Sequence, residues 1–275
     1  MINIEDLKLV GTGFTAKVYL FEENKVIKLF NKDYDVGAVE YEAKIARAID
    51  GAGVAAPKFY QTIEVNGQYG IVYECVQGEP LISLLLKSSF LQGLRLIKRM
   101  AQAQIEINQK VCQGLPSQID RLSYLIGKAD GIEFCKDDLL KGLKAIKQES
   151  FICHGDFHAG NIIVDGERFV AIDWMNCYAG NKEGDLLRTY LMLITPDLPS
   201  GLGKIQKALL TLYKKALGRV YLKEYLKLSG LKKRDLKKWL PIIAAARLTD
   251  NIPSEKKWLL RIIEKNIKFL RTKLE

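Results

Sequence analysis

The chain holds two histidines, and both fall in one short passage, Cys153-His154-Gly155-Asp156-Phe157-His158-Ala159-Gly160-Asn161. Asp156 and Asn161 stand five residues apart, and twelve residues after Asn161 the run Ile172-Asp173-Trp174 supplies a second acid. A hydroxyl that attacks a phosphoryl group must be oriented and must lose its proton, and Asp156 is a carboxylate able to take it. Magnesium prefers hard oxygen ligands, which the Asn161 amide and the Asp173 carboxylate supply. Charge developing between the transferred and the remaining phosphates is neutralised by such an ion. The spacing is that of the catalytic loop His-x-Asp-x-x-x-x-Asn of phosphoryl-transfer enzymes. His154 and His158 are four apart, as in a helical zinc pair, but Gly155 and Gly160 argue against a helix and no Glu follows the first His. His154 reads instead as a structural residue bracing the loop, and Asp165-Gly166 as a turn between two strands.

Elements upstream must bring a nucleotide to this loop. Strand-like runs cover Leu7 to Val10, Lys17 to Phe21 and Lys25 to Phe30, with turns at Gly11-Thr12-Gly13 and Glu23-Asn24. Gly11, Thr12, Gly13, Phe14 and Thr15 sit between two of them and resemble the Gly-rich loop of kinases, with Ala16 where the third glycine would stand. An ordinary hairpin turn is the alternative for that segment. Lys28, in Val26-Ile27-Lys28-Leu29, occupies the strand position of a phosphate-binding lysine. Helical spacing follows over Val39 to Ile49, ended by Gly51, Gly53 and Pro57, and offers Glu42, or else Glu40, as partner for Lys28. Strands over Phe59 to Val65 and Tyr69 to Val76 flank Asn66-Gly67, the strongest short hairpin signal. Glu74-Cys75-Val76 would then form a hinge whose backbone, at Glu74 and Val76, reads the nucleobase edge. After Gly78-Glu79-Pro80 the pattern turns helical from Leu81 to Gly114. A strand–loop–strand–turn–strand passage runs from Ile152 to Asp173. From Asp185 onward the chain is helical, with breaks expected at Pro196, Pro199, Gly230, Pro241 and Pro253.

Composition sets the outer bounds. At 275 residues, 48% hydrophobic and 27% charged, the chain has apolar material for a sizeable core, which excludes disordered and collagen-like classes. No apolar run approaches the ~18 residues of a membrane span. Met1 to Asp6 carries two acids and no basic flank, so no secretory signal is expected and the predicted location is cytoplasmic. Five cysteines are widely spaced without a Cys-x-x-Cys pair, which supports neither a zinc site nor a disulfide framework. From Lys204 to Glu275, 20 Lys/Arg stand against 6 Asp/Glu, a charge of +14 within a net +10. Such a basic third can serve an anionic substrate, nucleic acid or a membrane surface, or simply form the solvated faces of helices.

His154 to Asn161, followed by Ile172-Asp173-Trp174 and by Gly184-Asp185-Leu186-Leu187-Arg188-Thr189, resembles the aminoglycoside phosphotransferase and choline kinase family. The resemblance covers most of the chain, is strong at the catalytic segment and is diffuse in the C-terminal helices. It implies an α+β, bilobal, protein-kinase-like fold: residues 1–77 as a nucleotide-binding lobe with an antiparallel sheet and one helix, and 78–275 as a mostly helical catalytic and substrate-binding lobe. It implies transfer of the γ-phosphate of ATP, or GTP, to a small-molecule hydroxyl. By motif match Asp156 is the base, Asn161 and Asp173 are the Mg2+ ligands, Lys28 holds the phosphates and Asp185 holds the catalytic segment by hydrogen bonds. Gly155 stands where protein kinases carry Arg, and eleven residues between Asp173 and Asp185 leave little room for an activation loop. Both departures disfavour a protein substrate. The basic C-terminal third argues against a polycationic aminoglycoside acceptor, although Asp185, Asp250 and Glu255 are candidates for an acidic pocket. An RNA-directed kinase or RNA-binding protein is the other reading of those lysines, without an aromatic-interleaved RNA module to support it.

Overall fold

The computed structural model describes residues 4–272; the first residues of the Met1 to Asp6 segment, and Lys273 among the C-terminal lysines, lie outside them. The N-terminal part is a five-stranded antiparallel sheet of order β1-β2-β3-β5-β4, built from β1 (Leu9–Thr12), β2 (Ala16–Glu22), β3 (Lys25–Phe30), β4 (Phe59–Val65) and β5 (Gln68–Glu74). Its tight turns fall where the turn residues stand. Asn24 takes φ 58°, and Asn66 and Gly67 take φ 52° and 73°, the paired positive values that a two-residue hairpin of matching twist requires. The first hairpin differs from expectation. Gly11 and Thr12 belong to β1, paired with Val18 and Lys17, so the turn is tighter and closes with a hydrogen bond from the Gly13 N–H to the Ala16 carbonyl (2.8 Å).

Helix α1 (Val36–Asp50) is inserted between β3 and β4 and starts three residues before the expected Val39. Asp35 caps it, its Oδ1 accepting from the Ala38 N–H at 2.7 Å, which supplies one of the donors a helix start leaves open. Val39, Glu42, Ala43, Ala46 and Ile49 form its buried stripe, and Glu40 is exposed. Alternation along β3 sends Ile27 and Leu29 to one face with Val65, and Phe30 to the other, with Val39 and Ala43 of α1. Lys28 shares the Phe30 face, because strand side chains repeat every second residue.

The chain leaves the sheet through residues 75–78. Gly78 has φ 121°, and a Cβ there would lie 2.2 Å from the Val164 carbonyl oxygen, so only glycine passes. Beyond it lie β6 (Glu79–Pro80), α2 (Leu81–Lys87), α3 (Phe90–Asn108), α4 (Gln118–Lys128), α5 (Lys136–Ala145), β7 (Phe151–Cys153), β8 (Ile162–Asp165), β9 (Arg168–Ala171), β10 (Tyr178–Gly180), α6 (Lys182–Ile194), α7 (Lys204–Ser229), α8 (Trp239–Arg247) and α9 (Pro253–Arg271). The helical stretch expected over Leu81 to Gly114 is two helices and ends earlier, at Asn108. Ser88 is extended, and Ser89 with Gln92 forms a capping box that starts α3. Pro241 does not interrupt: it sits in the first turn of α8, where no N–H is needed for an intrahelical bond. Strands β6, β8 and β9 form one small sheet and β7 pairs with β10, so β7 does not continue into the β8–β9 hairpin. One core cluster runs through the helical part and includes Ile45 and Ile49 of α1, which seats that helix on both parts of the molecule. No helix among the described residues is long and apolar enough to cross a membrane.

Candidate active site

The loop after β7 is held from beneath. Asp185, fully buried in the first turn of α6, accepts hydrogen bonds from the Gly155 N–H (2.8 Å), the His154 N–H (3.2 Å), Gln104 Nε2 (2.9 Å) and Asn108 Nδ2 (3.0 Å). Four donors satisfy a carboxylate that the core has cut off from water. Gly155 takes φ 75°, and a Cβ there would lie 2.2 Å from the Asn176 carbonyl oxygen, which fixes the loop against the 3-10 turn Trp174–Asn176. His154 is fully buried; its Nε2 donates to the Ile172 carbonyl (3.1 Å) and its Nδ1 accepts the Asp156 N–H (3.3 Å). A carbonyl only accepts, so the proton sits on Nε2. Burial lowers the pKa of this ring and keeps it neutral: it braces the loop, as the sequence suggested.

Asp156 emerges a quarter exposed at the loop's apex. Asn161 Nδ2 donates to the Asp156 carbonyl (3.1 Å) and carboxylate (3.3 Å), so the Asn161 Oδ1 is the amide atom that could serve a cation. The Asn161 carbonyl in turn accepts the Ile172 N–H at 2.9 Å, coupling this loop to the segment that carries Asp173. Asp173 lies beyond the end of β9, in the left-handed region at φ 61°, ψ 67°, a conformation that costs of order 1 kcal/mol or more in a residue with a Cβ and concentrates at functional sites.

Across the molecule, Lys28 Nζ lies 2.7 Å from Glu42 Oε1 and 3.3 Å from Asp173 Oδ1. Residues 145 apart in sequence thus meet at one ammonium. Burial alone would lower the Lys28 pKa, but Glu42 and Asp173 outweigh it and hold the amine protonated. The partner is Glu42, on the buried stripe, and not the exposed Glu40. Tyr73 was not singled out in the sequence; its hydroxyl donates to Glu42 Oε1 at 3.3 Å. The Gly11–Thr15 segment is braced by Asn31, whose N–H donates to the Thr15 carbonyl (3.0 Å) and Nδ2 to the Phe14 carbonyl (3.3 Å); Phe14 is almost entirely exposed at its tip. At the hinge the Glu74 carboxylate accepts the Lys58 N–H (3.2 Å), and the Cys75 N–H donates to the Asn24 carbonyl (2.8 Å). The Glu74 side chain is therefore occupied, and what this passage can offer a base is backbone.

A cavity of about 290 Å³ opens beside Asp156. Leu122, Leu125, Ile243 and Ala246 form its apolar wall, with Arg121, Tyr178, Arg188 and Asp250 around them. Arg188 Nη2 stands 3.7 Å from Asp156 Oδ1 and 3.2 Å from Asp250 Oδ2, and its Nε donates to the Gly155 carbonyl. Its place three residues after Asp185 puts both on one face of α6, a signal the sequence carried unread. Of the three acids considered for an acidic pocket, only Asp250 lines the cavity. Asp185 lies under the loop, and Glu255 is buried against Arg247, which donates to both its oxygens at 2.7 Å.

A protonated lysine set by a buried glutamate, two oxygen donors on adjoining loops and a carboxylate facing a cavity define a kinase-like phosphotransferase. Residues 6–222 match the family model of the phosphotransferase enzyme family APH, and the chain belongs to that family. Among solved structures it is similar to a thermostable mutant of aminoglycoside phosphotransferase APH(4)-Ia in ternary complex with AMP-PNP and hygromycin B, at 13% identity and a TM-score of 0.63 over 96% of this chain and 93% of that one. The streptomycin–ATP complex of APH(2")-IIa gives 16% and 0.57 over 90% and 85%. A choline/ethanolamine kinase family protein from Mesorhizobium loti gives 13% and 0.56 over 98% and 88%. At these identities the likeness is one of fold: the kinase-like α+β architecture. Among the curated proteins none matches the sequence.

Proposed function

We propose that the protein is a cytoplasmic small-molecule kinase that transfers the γ-phosphoryl group of MgATP, with GTP as the alternative nucleotide, to a hydroxyl of a small metabolite. The observation that carries this reading is the meeting of Lys28, Glu42 and Asp173 on one side of a loop whose other side presents Asp156 to a cavity. Residues 1–77 form the nucleotide-binding lobe and 78–275 the catalytic and acceptor-binding lobe, with Gly78 at the crossing. The Glu74 and Val76 backbone groups receive the base, and Gly11 to Thr15 cover the phosphates.

Magnesium fits the donor set: the Asn161 amide oxygen and the half-exposed Asp173 carboxylate are hard oxygens of the number Mg2+ takes from protein when phosphates and water supply the rest. The ion neutralises charge on the phosphate oxygens when bound. Lys28, kept cationic by Glu42, holds the phosphates from the sheet side. Asp156 orients the acceptor hydroxyl and takes its proton as the oxygen bonds the γ-phosphorus. The bond to the β–γ bridging oxygen breaks in line, and the nucleoside diphosphate leaves. Arg188 and Asn161 position the Asp156 carboxylate.

The test is phosphorus NMR of the protein with MgATP or MgGTP and a panel of hydroxylated compounds. A phosphomonoester should form with one of them, and Lys28→Ala should weaken nucleotide binding by about tenfold or more, the loss of a charge-assisted contact. Nucleotide binding indifferent to Lys28, with no phosphomonoester from any member, would overturn the reading.

A further inference from the structure

Four charged side chains line the cavity beside Asp156, counting Asp156 itself, and three of them are committed to one another. Arg188 lies between Asp156 and Asp250, and Asp250 also accepts from Arg247 Nη1 at 3.0 Å. Arg121 is the exception. It projects from α4 to donate to the Asn176 Oδ1, a neutral amide, and among the described residues it enters no ion pair. A guanidinium carries five donors, so this one retains both charge and donors for something else.

A cation lacking a carboxylate, in a small cavity beside Asp156, suits an oxyanion. We propose that the phosphoryl acceptor is an anionic hydroxy compound, its carboxylate or phosphate bound by Arg121 while its free hydroxyl faces Asp156. This rests on the kinase reading for the role of Asp156. The volume of about 290 Å³ lies at the lower end of the ~300–1,000 Å³ of drug-sized sites, as suits a compact metabolite. The +14 charge of residues 204–275 favours the approach of an anion.

The test uses matched acceptors, glycerol, D-glycerate and glycerol 3-phosphate, with glucose and glucose 6-phosphate as a larger pair. Binding to the protein with Mg2+ and AMP-PNP is followed by calorimetry, and turnover with MgATP by ADP release. A charged member should bind more tightly than its neutral counterpart. Arg121→Gln should reduce that preference by about 10- to 100-fold, the scale of charged hydrogen bonds; Arg121→Lys should restore part of it for phosphate. Glycerate and the two phosphates tell a carboxylate site from a phosphate site. Neutral and charged members binding alike, no charged member binding at all, or a preference unmoved in Arg121→Gln of unchanged melting temperature would each overturn the proposal. Tight anion binding by Arg121 with no turnover of any bound compound would leave an anion site at Arg121 but overturn its assignment as the acceptor site, and with it the kinase reading.

Discussion

The Asp156 loop and the cavity proposed for the acceptor share a wall yet are built in opposite ways. The loop is a short stretch of chain whose backbone is fixed from below: the Gly155 and His154 amides sit on Asp185, His154 joins its start to Ile172, and Gly155 admits no side chain against Asn176. The cavity is assembled from side chains of α4, α6 and α8 and the residues around them, with a partly exposed pair, Arg188 and Asp250, across it. The difference teaches where each kind of change is tolerated. On the proposed reading chemistry requires the loop in one geometry, which its buried polar supports provide, while the cavity can be altered one side chain at a time without disturbing that frame.

The sharpest attempt to break this comparison is Asp185→Ala. It would strip the acceptor from four donors in the interior, and a loss of about 3–5 kcal/mol is expected, seen as a large fall in denaturation midpoint and loss of turnover together. Survival with near-native stability would mean the loop does not depend on its underside. Gly155→Ala comes next. The positive φ and the clash with the Asn176 carbonyl predict a cost of about 1–3 kcal/mol, with kcat reduced more than nucleotide affinity because Asp156 is displaced. On the cavity side, Asp250→Asn keeps an oxygen for Arg188 and Arg247 and should lower the melting temperature less than either loop variant. It should shift acceptor KM by up to about tenfold; a variant that fails to fold would erase the distinction between frame and cavity.

The smallest effect concerns pH. The His154 pKa is lowered in the folded state by burial, so the unfolded chain binds this proton more readily. Stability from the neutral ring is therefore present above the unfolded value of about 6.5 and is lost as pH falls below it. Denaturation midpoints between pH 7.5 and 5.5 should decline by less in His154→Gln than in the native chain. Equal slopes would show that His154 is not buried as a neutral brace.

The same contrast decides what could be read in advance. The proposed roles of Asp156, Asn161 and Asp173 rest on type and spacing within one short passage, and that of Lys28 on its place in the third strand. The choice of Glu42 over Glu40 required the face of α1 that packs on the sheet. Hairpins at Asn66-Gly67 and Asp165-Gly166 follow from turn residues, as does the end of α7 at Gly230. The break at Ser88-Ser89 went unread because its flanks keep helical periodicity while the capping box is a pair of side chains. Helices α4 and α5 carry no motif that marks them. Arg121, Tyr178 and Tyr73 were invisible for a related reason: an arginine or tyrosine becomes part of a site through residues far away in sequence, which spacing does not encode.

The central claim is that Asp156 performs chemistry on a frame that binds nucleotide without it. It is tested most directly by measuring, on one preparation of Asp156→Asn, the dissociation constant for MgATP and kcat with the best acceptor found. The expected result is affinity within about threefold of the native protein and kcat lower by about 10²- to 10⁴-fold, the contribution of a positioned base. Native-like kcat, or nucleotide binding lost together with turnover in a folded variant, would contradict the account.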